Sequence, residues 1–386
     1  VKSTRRRILL VVRRIKTGGI ERATLNLAEG LIQCGHDVHL MILKGQSQLS
    51  VPDGVQVHHC DLDKLARRNL GARLFDVFGR GVLRFLLPGS GFVWRGLLCS
   101  RAMRDVIHAL QQQNGTFDLI LLRGQGVFES LWNFSHPALW QVVEGPPANF
   151  SRFWLGRYFY RLLYENKQVV AVSAGIWGVL VDELSCCHVQ VRRHEIIHNA
   201  LPIATIREQA QETVADLPTE PYLIHVARLN PVKNQALLLH AYAYSAIQLP
   251  LVIIGDGKER ANLAVLANQL GIAERVLFLG MKANPYPYMA HAAAFILSSR
   301  QEGLGLVLIE ALACGTQTVA TDVPGGIREV LVDELQRLLA ENSVDGLAEK
   351  MKEALEDPVV IRSEWAERFD SSRIIPLFLN LIDQHE

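Results

Sequence analysis

The chain has 386 residues, 49% hydrophobic and 20% charged, which is ample for two or three domain cores and too apolar for a disordered chain. Its net charge of +1 hides a division, since residues 1–199 carry +10 and residues 200–386 carry −9. No apolar run reaches the roughly 18 residues that span a bilayer. The six cysteines, Cys34, Cys60, Cys99, Cys186, Cys187 and Cys314, show no CxxC spacing, which favours a reduced, cytosolic setting over a disulfide or zinc framework.

The chain opens on a basic cluster, Arg5, Arg6 and Arg7, but only five apolar residues follow before Arg13 and Arg14. The pattern predicts a first buried strand rather than a secretion signal. Thr17, Gly18 and Gly19 then lead into a helix over 21–34, and Gly35 into a strand over 38–43. Strand, glycine loop, helix and strand make a parallel unit whose first turn admits a ligand, although the glycines alone read equally as relief of a tight turn. The stretch 64–104 holds nine basic residues and one acid, Asp76, interleaved with Leu70, Phe75, Phe78, Leu83, Phe85, Leu86, Leu87, Phe92, Val93 and Trp94. A second basic and aromatic stretch covers 150–167. Cations beside exposed aromatics suit an anionic membrane surface, and the competing reading makes the aromatics core and the arginines a solvated helix face. The acidic second half and the lack of a recognition motif argue against nucleic acid.

Strands over 119–122, 141–143 and 169–172 complete a first domain, with Glu144 and Gly145 directly after the second of them. Beyond IIHNALPI, at 196–203, the alternation restarts with a strand over 222–226 and the loop ARLNPVKNQ. Its cations, Arg228 and Lys233, stand five apart at the carboxyl end of a strand, where charge-assisted hydrogen bonds can hold a diphosphate. The strand over 251–254 runs into GDGKER, half of a dinucleotide fingerprint, but Arg260 occupies the place of a third glycine, which argues against nicotinamide binding. A strand over 276–279 precedes Gly280, Met281 and Lys282, a helix covers 286–294, and a strand over 294–297 feeds 298–302. His198, His225 and His291 have no metal-binding partner at helical spacing and read as structural. A last helix is expected over 365–382.

The most informative segment is 301–331, QEGLGLVLIEALACGTQTVATDVPGGIREVL. Glu302, Gly303 and Gly305 form a loop that opens a helix, whose N-terminal amides and dipole favour an anion. Glu310, eight residues after Glu302, follows the same side about two turns down, so the two carboxylates can flank one ligand. Spacing alone leaves open the reading of two ordinary solvated carboxylates.

EGLGLVLIEALACG followed by TVATDVPGGIREV resembles the E-x7-E signature of the retaining glycosyltransferases of family 4. GGIERATLNLAEGLIQCGHDVHLMIL resembles the opening of the same family, and Asn199 matches its hinge asparagine. The resemblance implies an α/β chain of GT-B fold, two Rossmann-like doubly wound parallel-sheet domains facing a central cleft. Their expected extents are 1–198, an acceptor-side domain joined by a C-terminal helix over 370–386, and 199–369, a domain that binds the nucleotide-sugar donor. It further implies that Arg228 and Lys233 hold the donor pyrophosphate, with the amides of Gly303, Leu304, Gly305 and Leu306. Glu302 would orient donor sugar hydroxyls and Glu310 would accept from the ribose diol. Met281 and Lys282 would border the nucleobase, and Gly18 and Gly19 would face the donor phosphates or the acceptor. Arg228, Lys233 and Glu302 would be the catalytic residues.

Two positions depart from the family pattern. Leu304 stands where phenylalanine is usual, with little consequence for a residue that contributes backbone. Glu144 stands where many members carry a histidine that touches the donor sugar; it either contacts a sugar or acceptor group or caps a loop. Asp61 and Asp63 form a DxD, which in the other major glycosyltransferase fold would bind manganese, but here they read as an acidic surface turn. The combined expectation is transfer from a nucleotide sugar, with UDP-sugar foremost, to a glycan or lipid-linked acceptor in bacterial surface polysaccharide or lipopolysaccharide synthesis. No metal or other cofactor is called for. The enzyme would work in the cytoplasm, peripherally at the inner face of the membrane. A nucleotide-sugar epimerase of the same fold, a dehydrogenase and a non-catalytic nucleotide-sugar-binding protein are the alternatives.

Overall fold

The computed structural model describes residues 5–16, 18–68, 70–79, 81, 91–147 and 155–383. Thr17, the apolar residues Leu83, Phe85, Leu86 and Leu87, and the start of the second basic stretch, 150–154, lie outside the described residues. The chain divides into two compact units, Val1–Ala200 with Ser371–Glu386, and Leu201–Asp370.

The first unit contains a seven-stranded parallel sheet in the order β3-β2-β1-β4-β5-β6-β7. Its strands are β1 (Arg7–Val12), β2 (Asp37–Ile42), β3 (Gln56–His59), β4 (Leu119–Arg123), β5 (Leu139–Val143), β6 (Gln168–Ala171) and β7 (Arg193–Ile196). Strands β1, β4, β5 and β6 are almost wholly buried, as their unbroken Val, Ile and Leu runs require of a sheet covered on both faces. The edge strands β3 and β7 are largely exposed and polar, with no apolar run to announce them. The expected helix over 21–34 is Gly19–Gln33, and it buries Ala23, Leu27 and Leu31. The helix Ser371–Asp383 packs on it so closely that a Cβ added at Gly30 would overlap the Ile375 side chain.

The second unit has a six-stranded parallel sheet in the order β10-β9-β8-β11-β12-β13. These are β8 (Leu223–Val226), β9 (Leu251–Ile254), β10 (Val276–Gly280), β11 (Ala294–Leu297), β12 (Thr318–Thr321) and β13 (Leu339–Ala340). The helix expected over 286–294 ends early, at Ala290, so that Ala293 can donate to the Tyr222 carbonyl at 2.8 Å and start β11. The single helix expected over 365–382 is two, Ser363–Glu367 and Ser371–Asp383. Between them Asp370 forms a parallel bridge with Leu201, whose amide donates to the Phe369 carbonyl at 2.9 Å.

The basic, aromatic stretches behave differently from each other. Phe159, Tyr160, Leu163 and Tyr164 of the helix Gly156–Tyr164 are core, as the competing reading has it, while Tyr158 is 53% exposed. The helix Leu70–Phe78 instead leaves Leu70, Leu74, Val77 and Phe78 each more than half exposed. Among the described residues no helix is long and apolar enough to cross a membrane.

Candidate functional site

In each sheet the chain order reverses once, between β1 and β4 and between β8 and β11. Loops leaving the carboxyl ends of strands at such a point diverge and leave room for a ligand. In the second unit those loops are the ones that carry Arg228 and Lys233, after β8, and Glu302, after β11.

The β8 loop is fixed from below. His225, fully buried on β8, donates from Nδ1 to the Ile296 carbonyl at 2.8 Å and accepts at Nε2 from Gln235, whose second amide hydrogen reaches the Arg228 carbonyl at 2.9 Å. Burial pushes the His225 pKa down to about 4, with the Ile296 carbonyl opposing and Lys233 reinforcing. The imidazole is therefore neutral and serves as a link between the β11 backbone and the cationic loop. GDGKER braces the same loop from the side: Leu229 donates to the Asp256 carbonyl at 2.9 Å, and a Cβ on Gly255 would fall 1.9 Å from the Ala227 carbonyl oxygen. The half-fingerprint is thus a structural support. Held in this way, the exposed Arg228 guanidinium has no hydrogen-bond or ion-pair partner among the described residues.

Lys233 meets the β11 loop directly, its Nζ donating to Glu302 Oε1 at 2.6 Å. The same oxygen accepts from the Ser299 hydroxyl at 2.6 Å, and Ser298 donates to the Lys233 carbonyl at 3.0 Å. The two motifs are 69 residues apart in sequence and touch in space. Ser299 escapes notice in the sequence, where only its place in SSRQEG hints at a part.

Beyond Glu302, Gly305 adopts φ +85° and caps the helix Leu306–Ala313. The Leu308 amide closes back on the Gly305 carbonyl at 2.9 Å, and the first amides of such a helix are a natural anion seat. The second glycine pair of the motif explains itself here. A Cβ on Gly325 would come 1.7 Å from the Glu302 carbonyl oxygen, and the Gly326 amide donates to the Gly303 carbonyl at 2.9 Å. Leu304 is buried, an apolar anchor between the half-buried Gly303 and the buried Gly305. Glu310, the fifth residue of the helix, is 8% exposed and accepts from the Tyr286 hydroxyl at 3.5 Å. Burial, with Glu310 nearby, pushes the Cys314 thiol up to about 12 and keeps it protonated.

Met281 is exposed at the end of β10, whereas Lys282 is tied to Asp216 by a short ion pair that Tyr288 joins through its hydroxyl. The hydrogen bond to Asp216 raises the Lys282 pKa, and those from Lys282 and Tyr288 lower that of Asp216. Asn284 adds bonds to the Gln209 carbonyl at 2.8 Å and to Glu212 at 2.9 Å. The connection after the helix Ile203–Gln209 is therefore stitched to the segment that follows β10, a link the sequence did not signal.

In the first unit, Gly18 caps the helix Gly19–Gln33 in extended conformation, and a Cβ at Gly19 would meet nothing within 4 Å. The Glu144 side chain is buried just past the end of β5. Arg123 donates to its Oε1 from Nε at 2.7 Å, and Asn199 donates to its Oε2 at 3.1 Å. Arg123 also reaches Asn199 Oδ1 at 2.5 Å and the Ala23 carbonyl at 3.2 Å. The carboxylate thus joins β4, β5 and the segment leading out of the unit, and both of its oxygens are engaged. Among the described residues no group of three or more His, Cys, Asp or Glu side chains could hold a metal ion.

Comparison with known proteins agrees with this arrangement. Residues 207–371, which include both loops, match the family model described as glycosyl transferases group 1. Over 343 residues, 88% of each chain, the sequence is 27% identical to the N-acetylgalactosamine-N,N'-diacetylbacillosaminyl-diphospho-undecaprenol 4-alpha-N-acetylgalactosaminyltransferase of Campylobacter jejuni. Over 161 residues, 36% of this chain and 46% of the relative, it is 33% identical to the lipopolysaccharide core biosynthesis glycosyltransferase LpsE of Rhizobium meliloti. The fold resembles that of Anabaena HepE, solved in complex with UDP and glucose, with a TM-score of 0.70 over 98% of this chain and 100% of that one at 20% identity. With two Rossmann-like parallel-sheet units and a match over residues 207–371 that spans the cation and carboxylate loops, the chain has the GT-B fold, and its second unit is similar to the glycosyl transferases of group 1.

Proposed function

We propose that this chain is a retaining, metal-independent glycosyltransferase that moves a sugar from a UDP-sugar to a glycan or lipid-linked acceptor in bacterial surface polysaccharide or lipopolysaccharide synthesis. The observation that carries the reading is the joining of the Arg228 and Lys233 loop to the Glu302 loop, at the reversal of strand order in the second sheet. Arg228, unpartnered, and Lys233 meet the diphosphate, and the helix amides after Gly305 neutralise its growing negative charge as the glycosidic bond breaks. These groups supply the charge stabilisation for which a divalent ion would otherwise serve. Glu302, steadied by Ser299 and Lys233, accepts from donor sugar hydroxyls, and Glu310 accepts from the ribose diol. The departing phosphate oxygen takes the acceptor hydroxyl proton on the face it leaves, so the anomeric configuration is kept.

The UDP bound by Anabaena HepE and the diphospho-undecaprenol acceptor named for the Campylobacter relative support this choice of donor and acceptor class. Peripheral membrane contact is supported by the exposed apolar face of the helix Leu70–Phe78 beside Arg67, Arg68 and Arg73, each cation adding about 1 kcal/mol at an anionic surface. The cytoplasmic face is the side on which nucleotide sugars are met.

The test is a panel of nucleotide sugars read by thermal shift, since a bound donor raises stability by mass action. Turnover with the best donor follows, with and without EDTA, with the product anomer read by NMR. A UDP-sugar shift, a retained anomer and turnover indifferent to EDTA are expected. No shift with any donor overturns the reading, an inverted anomer overturns retention, and conversion of the donor without acceptor transfers the assignment to an epimerase.

A further inference from the structure

The Lys282 ammonium is engaged by its own unit rather than left for a ligand. Strand β10 ends at Gly280, whose φ of +69° turns the chain and whose carbonyl accepts from the Gly255 amide at 2.8 Å. Exposure then alternates, with Met281 and Ala283 exposed and Lys282 and Asn284 half-buried. A period of two marks an extended strip with one side against the protein and the other toward solvent. Both inward side chains reach the segment 209–216. Lys282 Nζ pairs with Asp216, and the Asn284 amide donates to the Gln209 carbonyl and to Glu212.

Asp216 is anchored on the core in turn. Its other oxygen accepts from the hydroxyl of Tyr288, a residue 2% exposed whose carbonyl accepts from the Tyr222 hydroxyl at 2.7 Å. The Lys282 ammonium also lies 5.4 Å from the centre of the Tyr288 ring, within cation–π range. A long, flexible side chain is thus fixed before a ligand arrives, and ordering done in advance raises affinity. By contrast, the backbone amides and carbonyls of 281–283 have no hydrogen-bond partner among the described residues.

The helix Tyr286–Ala290 links this strip to the carboxylate assigned to the ribose. Its first residue, Tyr286, meets Glu310, and its third, Tyr288, holds Asp216. The two groups that would meet one nucleoside are therefore connected through a single short helix.

We propose that Asp216 is a positioning residue for the nucleobase: through Lys282 it holds 281–283 in the pose that keeps these backbone groups free for the edge of a uracil. Uracil offers carbonyl acceptors on both sides of an N–H donor, which backbone amides and carbonyls can match. The proposal rests on the reading of Met281 and Lys282 as the border of a UDP-sugar's base, and it adds a residue that belongs to none of the sequence motifs. Lys282 then acts as a strut, and its charge meets neither base nor phosphate.

The experiment is calorimetric titration of the full chain with UDP and, separately, with inorganic pyrophosphate, which lacks base and ribose. The Asp216 side chain is 53% exposed, and Asp216→Asn keeps an acceptor for the Tyr288 hydroxyl while removing the charge. Lys282→Met keeps the apolar stem and removes the ammonium. Each should weaken UDP about fivefold, the upper range for an exposed ion pair, with pyrophosphate affinity unchanged and the melting temperature within about 2 °C. The double variant should bind UDP no more weakly than either single one, because Asp216 acts through Lys282. With a UDP-sugar, KM should rise by the same factor at constant kcat. UDP affinity that Asp216→Asn leaves unchanged, a parallel loss of pyrophosphate, or losses that multiply in the double variant overturns the assignment. A native chain that does not bind UDP overturns the donor reading itself and takes this assignment with it, so the native chain alone tells the two failures apart.

Discussion

Replacing Gly325 with alanine separates a structural role for the second glycine pair from mere loop flexibility. The new Cβ would lie 1.7 Å from the Glu302 carbonyl oxygen, so the Glu302 loop must retreat by about 1.5 Å to reach ordinary contact. At φ +128° an alanine also carries backbone strain of about 1–3 kcal/mol. Retreat breaks the Gly326 to Gly303 hydrogen bond, worth about 1 kcal/mol. The expected loss is about 2–4 kcal/mol, a fall in melting temperature of about 5–15 °C for a unit of this size. Turnover should fall about 100-fold, since the displaced loop carries Glu302 and the helix amides. Gly271→Ala is the control: it sits at φ +68° with nothing within 4 Å of the added methyl, so it carries about 1–2 kcal/mol of conformational strain and should leave turnover unchanged. Differential scanning calorimetry and initial rates with a UDP-sugar make the comparison. If Gly325→Ala melts within a degree or two of Gly271→Ala and turns over like the native chain, the brace does not hold the site.

Three further outcomes follow from the geometry. Arg228→Ala should weaken UDP binding about 10- to 100-fold, the loss of one charge-assisted contact, with no change in melting temperature because the guanidinium has no protein partner to lose among the described residues; titration calorimetry checks both. His225 has a folded pKa of about 4 against an ordinary 6.5, so the unfolded chain binds the proton first, and stability is lost as pH falls from about 6.5 to about 4, by about 3 kcal/mol. His36, His39 and His58 are also pushed down by burial, so the measurement is the difference in acid slope between the native chain and His225→Asn, which should be shallower. Glu144→Gln strands the Arg123 guanidinium and should cost about 3–5 kcal/mol in urea unfolding, much of it recovered when Arg123→Met is added; a single-variant loss under about 1 kcal/mol would show the ion pair to be dispensable.

The sequence disclosed the cation and carboxylate loops because their chemistry is written in short runs. Arg228 and Lys233 are five apart, Glu302 and Glu310 eight, and each run starts at the end of a buried strand that its own apolar residues announce. What joins the runs was not legible. The Lys233 to Glu302 contact spans 69 residues, the Arg123 to Asn199 bond 76, and His225 reaches Ile296 across 71. Such partners are set by strand order, which periodicity does not encode. Glu144 shows the limit well: the sequence left it between a ligand contact and a loop cap, and the structure shows both oxygens engaged by Arg123 and Asn199. The edge strands of the first sheet were missed for a different reason. β3 and β7 are half-solvated and polar, so they lack the apolar run by which inner strands were found.

The bridge between Leu201 and Asp370 has a topological meaning. The chain enters and leaves the second unit at neighbouring positions, which makes residues 201–370 an insertion within a first unit that closes with its own final helix. Insertions with adjacent ends can be exchanged by two splices at one spot. The loops assigned to the donor lie within that insertion, apart from Gly18 and Gly19. The architecture thus makes the second unit a cassette, exchangeable with both of its loops and without redesign of the first sheet.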